Sequence, residues 1–356
     1  MKKYFFIPFF LLSLSIPSRI GQAQTTVNPD FSLIGDMRMV GHRQAPADIS
    51  DNKLRFDFHE LEIVAGGYLN PYARADVTMG LTKGGIDIEE AYATLLKGLP
   101  WNLQIKAGQY LVDVGLINTQ HTHQWSWIER PLMFKRFFGE EGLKAVGLNV
   151  SSLVPAGPNA ITISGNVFTG GSYWGESGDA ADAGLTGSAR VSFFMSLTDH
   201  ASLELGCSGL SRQGDSEKKT GMTLGDFDFK YKWRPDMYQS LVIVAETMIG
   251  SRELNETDPA NGAPKKITPS GAFASIDYQF KRQYNAGGFI DYSRDPSRED
   301  GHQLGFGLFG GFSLVEETYR IGVILRQDQG SALGRPYQTI MVQLLWSLGP
   351  HKPHQF

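Results

Sequence analysis

A single cysteine, Cys207, in a chain of 356 residues excludes an intrachain disulfide. With no thiol motif around it, it reads as a small packing residue on a strand. A basic excess is also missing. The formal charge is −4, and Lys2, Lys3 and Arg19 all lie in the first 23 residues, so a chain without that segment stands near −7 and offers no basic patch to nucleic acid. After the first 16 residues no apolar run approaches the roughly 18 that a spanning helix needs. The longest, 241–245 and 340–342, are strand-sized, which excludes a helical membrane protein. No H-E-x-x-H, G-x-S-x-G, phosphate loop or dinucleotide fingerprint occurs, so neither enzymatic activity nor a cofactor has a basis in the sequence.

What is present begins with a leader. Lys2 and Lys3 precede an uncharged stretch over 4–16, and Gly21 and Ala23 supply the small residues a signal peptidase needs, so residues 1–23 read as a cleaved signal peptide and 24–356 as the exported chain. The full sequence is rich in glycine (41 residues) and aromatics (12%), a composition suited to short strands and tight turns. Period-two alternation is legible along most of its length. Phe227, Phe229, Tyr231 and Trp233 interleave with Asp226, Asp228, Lys230 and Lys232; Ala274, Ile276, Tyr278 and Phe280 interleave with Ser275, Asp277, Gln279 and Lys281. A helix would bury such charges, whereas a strand sorts them onto one face, toward water.

Sixteen strands are expected on this pattern, centred near 35, 60, 76, 90, 105, 148, 165, 191, 205, 228, 244, 276, 288, 307, 322 and 343. The connections alternate: short turns such as 66–71, 97–100, 154–159 and 315–317, then long loops such as 41–52, 170–184, 211–223, 251–270 and 327–337, with 82–85 a short exception. The fold class read from this is all-β, a transmembrane antiparallel barrel in the outer membrane of a Gram-negative-type bacterium, with lipid against its outer face. Tyr68, Tyr72, Trp101, Trp233, Tyr238, Tyr284, Tyr292, Tyr319 and Trp346 gather near strand ends, as an interfacial girdle would. A soluble exported sandwich fits less well, because every strand would expose an apolar face. The final strand alternates Ile340, Val342, Leu344, Trp346, and the terminal Phe356 is the kind of aromatic end that barrel assembly machinery reads, although Pro350 and Pro353 put the tail outside the strand.

One connection stands apart. Residues 111–141, the third outer loop, are long and rich in Phe, Trp and aliphatics, so they can bury surface and are expected to fold into the lumen as a constriction. Arg130, Lys135 and Arg136, with Glu129 among them, are the candidate selectivity charges. Arg74 and Lys106 could extend a basic path along the wall. Matching acids on the same faces, such as Asp76, Glu89, Asp226 and Asp228, make pairing across strands the stronger reading of the wall charges. His121 and His123 form an H-x-H pair that on an extended segment would face one side and could hold a metal such as zinc, but third and fourth ligands are missing, which favours a structural or solvent-facing role.

Residues 88–92 (Ile-Glu-Glu-Ala-Tyr) and 106–110 (Lys-Ala-Gly-Gln-Tyr), followed by His121, Trp125, Glu129, Arg130 and Pro131, resemble the phosphate-selective porin O and P superfamily. They also resemble a related group of outer-membrane porins sometimes labelled zinc-regulated or TonB-dependent receptors, whose ends the tail over 348–356 is similar to. The resemblance is strongest over 56–154. It implies a sixteen-stranded, often trimeric diffusion channel whose third loop lines the constriction, passing small hydrophilic and possibly anionic solutes. The acidic balance and the lack of a dense arginine row depart from the phosphate-selective members, and about a dozen residues before the first strand are too few for a plug domain. The competing expectation is a plugged barrel with a structural, surface-display or metal-binding role.

Overall fold

The computed structural model describes residues 29–44, 53–170, 173, 184–212, 222–257, 264–296, 300–314 and 318–349. The leader, the tail after Gly349, the short connection 315–317 and most of the long loops lie outside them. The strands are β1 (Asp30–Arg43), β2 (Arg55–Asn70), β3 (Ala73–Thr82), β4 (Gly85–Leu95), β5 (Leu103–Leu111), β6 (Lys144–Ala156), β7 (Asn159–Thr169), β8 (Thr186–Thr198) and β9 (Ala201–Arg212). They continue with β10 (Met222–Trp233), β11 (Ser240–Thr257), β12 (Pro264–Ile267), β13 (Ser270–Phe280), β14 (Tyr284–Arg294), β15 (His302–Ser313), β16 (Tyr319–Gln329) and β17 (Tyr337–Leu348). One helix, α1 (Leu132–Phe138), lies between β5 and β6.

Each strand pairs antiparallel with its neighbour, and β17 pairs back onto β1 from Leu33↔Leu348 to Arg43↔Gln338, so the sheet closes without an edge. The short β12 pairs only with the extension of β11 and continues the line of β13, which leaves sixteen staves in the wall. All sixteen expected strands are found; β12 is the addition. Turns close one rim, hereafter the turn end, where β1 begins and β17 ends. The opposite rim is the loop end.

Alternation sets which side chain faces out. Phe227 is 50% exposed and Leu308 67%, whereas Asp228 and Asp291 are fully buried in the lumen. The outward surface is therefore an apolar band of the kind a bilayer requires. Cys207 also points outward from β9, so it packs in no protein core, contrary to expectation. Exposed aromatics concentrate at the turn end: Tyr68, Tyr72, Trp101 and Tyr238, with Tyr278, Phe280 and Tyr284 in a stacked row that the half-buried Phe312 continues at a tilt.

The lumen departs from the expected pattern. Its face is mostly polar along β1–β5, with Ile34 and Val64 as exceptions, but Phe273, Phe289, Phe309, Ile324 and Met341 on β13–β17 also point inward and are buried. They are covered by the connection between β5 and β6. That segment turns into the barrel, and Val112, Ile117, Met133, Phe134, Phe137 and Leu143 on it are fully buried against the far wall. Its two ends are stitched together: Val112 N–H donates to Leu143 O at 2.9 Å, while the Asn118 amide donates to Val112 O (2.7 Å) and accepts from Leu143 N–H (2.8 Å). Gly271 lets α1 approach β13 closely, because a Cβ there would overlap Met133.

Candidate functional site

Two cavities flank the inserted loop. The larger, about 550 Å³, opens toward the turn end and is lined by polar side chains of β1–β9, including Arg74, Lys106, Thr162 and Ser192. The smaller, about 180 Å³, opens toward the loop end between Arg38, His59, Arg130, Lys135 and Glu140. Glu62, Leu111 and His121 line both. These residues stand between the two cavities, and this boundary, the neck, is the candidate site.

Two register shifts build it. Thr78 pairs with Glu90 and Met79 with Ile88, so Glu89 is an extra residue on β4; Asp36 pairs with Glu60 and Met37 with Phe58, so His59 is an extra residue on β2. Such a bulge re-aims side chains that strict alternation would send to opposite faces. Glu89 and Glu90 consequently both reach one imidazole: His121 Nδ1 lies 2.9 Å from Glu89 Oε2, and its Nε2 lies 3.3 Å from Glu90 Oε2. Glu62 Oε2 stands 3.7 Å from the same Nδ1 and 3.1 Å from His123 Nδ1. Gly80 leaves the space that the Glu60 and Glu89 carboxyls occupy. Burial opposes charge on His121, but Glu62, Glu89 and Glu90 outweigh it and hold its pKa well above the ordinary value.

The two histidines do come to one side, with rings stacked 5.8 Å apart, although Thr122–Gln124 is a 3-10 turn rather than extended chain. Arg320 fixes that turn by donating to His123 O and Trp125 O at 3.1 and 3.0 Å. The missing metal-type ligands are supplied from the wall: Glu62, Glu89 and His121 place donor atoms within 4.8 Å of one another. Of these acids only Glu89 stood among the sequence-level wall charges. Glu60, Glu62 and Glu90 were missed, although the Glu89-Glu90 doublet was the visible signal.

The loop cations are placed otherwise than in an open ring. Arg130 is buried, lies 5.1 Å over the Trp125 ring and donates to Glu140 O at 3.2 Å, and burial brings its pKa down to about 10. Lys135 sits 3.2 Å from Glu140 and 3.7 Å from Glu129, and Lys135 in turn holds Glu129 down at about 2. Arg136 donates to Ser293 O (3.0 Å) and Gln303 Oε1 (2.7 Å), tying α1 to β14 and β15. On the wall, Arg190 and Asp228 pair between strands, but Arg38–Asp36, Arg74–Asp76 and Arg326–Asp328 pair two residues along one strand, where side chains share a face. Lys106 lies 4.6 Å over the Tyr92 ring.

No family model matches the chain. An uncharacterized protein of Aquifex aeolicus (strain VF5) is 25% identical over 304 residues, 74% of this chain and 64% of that protein, so the chain spans less than two thirds of that relative's length. Among solved structures, the anion-selective porin from Comamonas acidovorans superimposes with a TM-score of 0.59 at 9% identity, covering 90% of this chain and 99% of the porin. The outer membrane channel DcaP of Acinetobacter baumannii gives 0.55 at 11% identity over 90% and 96%. A loop-deletion mutant of OmpT, an outer membrane protein of Vibrio cholerae, gives 0.56 at 10% identity over 90% and 99%. The chain has the sixteen-stranded barrel fold of outer-membrane porins.

Proposed function

We propose that the chain is an outer-membrane diffusion channel for small hydrophilic solutes, with its turn end in the periplasm and leader 1–23 removed on export. The observation that carries this reading is the pair of cavities, lined largely by polar side chains, on the two sides of one neck inside a closed sixteen-stranded barrel, a size that leaves an aqueous interior. The porins it resembles in fold support the same reading, and OmpT in its trimer form suggests a homotrimer here. Phosphate selectivity gains no support from a family model.

Charge preference, on this proposal, is set at the neck. Arg130, Lys135 and Arg136 are each engaged by a neighbouring carboxylate, ring or carbonyl, so the anion bias expected of them is weak. Glu62, Glu89 and Glu90 surround a single imidazole, which leaves the narrowest point acidic and favours cations. Planar-bilayer recording tests both statements. Purified protein should show discrete conductance, excision of residues 113–141 should raise it several-fold, and a salt gradient should give a reversal potential of cation sign that weakens in Glu62→Gln. Absence of any conductance would leave the plugged barrel as the better reading, and an anion-signed potential unaffected by Glu62→Gln would move selectivity back to the loop cations.

A further inference from the structure

The three carboxylates around His121 do not play one role. Two of them, Glu62 and Glu89, converge on Nδ1, at 3.7 and 2.9 Å, while Glu90 alone faces Nε2. Donors sharing an ion at bonds of about 2.1 Å stand about 3.0 to 3.4 Å apart, depending on coordination number, and the observed separations bracket that range. A bound ion would displace the Nδ1 proton; Nε2–H donated to Glu90 would then leave the Nδ1 lone pair facing Glu62 and Glu89, the tautomer that a metal-bound imidazole needs. Further partners hold the two carboxylates. His123 Nδ1 lies 3.1 Å from Glu62 Oε2, and Glu60 hydrogen-bonds Glu89. The donors come from two bulged strands and an inserted loop whose turn is pinned by Arg320, so the arrangement is positioned from several sides rather than from one mobile segment.

We propose that Glu62, Glu89 and His121 form a binding site for a divalent transition-metal ion, with Glu90 as the residue that orients His121. One imidazole nitrogen with two carboxylate oxygens suits Zn²⁺ and its first-row neighbours better than Mg²⁺ or Ca²⁺, which take oxygen ligands throughout. Three protein ligands leave a position for water or a passing solute, and both cavities reach this point. An ion there would reduce the net negative charge of the neck, from about −2 with His121 protonated to about −1 with the ion bound and the Nδ1 proton displaced. Its effect on conduction rests on the channel reading; its binding does not.

The test uses the full-length protein, folded in detergent and freed of metal by chelator. Calorimetric titration with Zn²⁺ should show one saturable site per chain, with Mg²⁺ binding much more weakly. Glu89→Gln and His121→Gln should remove the site, and Glu90→Gln should weaken it by about 10- to 100-fold, as loss of an orienting partner does. Co²⁺ loaded into the wild type should give visible ligand-field bands that Zn²⁺ displaces, a readout that does not depend on any variant folding. Absence of saturable Zn²⁺ binding, or binding that survives in folded Glu89→Gln and His121→Gln alike, overturns the site and leaves His121 as an imidazolium among carboxylates. In bilayers, Zn²⁺ should lower the conductance of the wild type and spare His121→Gln. Binding in detergent without that effect would keep the metal site and count against the neck as the conducting path.

Discussion

Along β1–β5 the lumen face is mostly polar, Ile34 and Val64 apart, and borders the larger cavity, whereas along β13–β17 the same face carries Phe273, Phe289, Phe309, Ile324 and Met341, sealed under the inserted loop. Both walls obey the same alternation, with apolar residues outside. They differ in what the lumen side chains meet. One wall borders an open cavity and the other meets Phe134, Phe137 and Met133, so one half of the bore is a cavity wall and the other resembles the core of a globular protein. A loop can thus be rigid inside a water-filled barrel, because the barrel supplies it with a hydrophobic partner on one side only. Backbone anchors complete the seat: Leu132 N–H donates to Asp291 at 3.0 Å, and Leu116 and Ile117 N–H both donate to Glu246 at 3.1 and 3.0 Å.

Equivalent truncations on the two walls should break the symmetry most visibly. Phe137→Ala opens a void in the sealed half and should cost about 3–5 kcal/mol, whereas Thr162→Ala, on β7 in the lining of the larger cavity, should stay within about 0.5 kcal/mol. Denaturant midpoints of the heat-modifiable folded form measure both, and equal losses would show that the loop is not seated as described. Gly271→Ala is a smaller lesion of the same seat. The added methyl meets the Met133 Cβ on α1, so a loss of about 1–3 kcal/mol is expected, and Met133→Ala in the same chain, which keeps that Cβ, should recover none of it.

The smallest effect is electrostatic. Glu129 titrates near 2, below the 4.5 of a free side chain, because Lys135 and then Arg326 favour its charged form over the opposing cost of burial. A depressed folded pKa contributes stability above the unfolded value and loses it as pH falls toward the folded one. The wild type should therefore exceed Glu129→Gln in thermal midpoint at neutral pH, and the gap should close between pH 4.5 and about 2. A gap independent of pH would mean that Glu129 acts by packing.

The barrel itself was legible, because period two is a property of single strands and survives in the sequence whatever they pair with. The loop's fate was legible too, from the density of Phe and Trp between Leu111 and Glu141. The neck was not. It depends on the extra residues His59 and Glu89, and a bulge exists only between two strands; read by alternation, Glu89 and Glu90 belong on opposite faces, yet both meet His121. The H-x-H pair marked half the site, and its carboxylate partners lay about 30 and 60 residues upstream, joined to it by closure of the fold. The apolar side chains of the sealed wall were hidden for a related reason: Phe273 and Phe289 look like lapses in a polar lumen pattern until the loop that covers them is in place.

The order in which the chain is made gives the seat a further meaning. Residues 112–143 leave the ribosome well before Phe273, Phe289, Phe309, Ile324 and Met341, against which they pack, and the seam between β1 and β17 joins the first strand to the last. Contacts so distant in sequence are slow to form, since the intervening chain must be closed before any of them is gained. Until the late strands arrive, the loop's Phe and Trp residues have no wall to rest on, and its apolar surface stays uncovered. The segment that fills this half of the bore is synthesised early, and the surface it rests on is synthesised last.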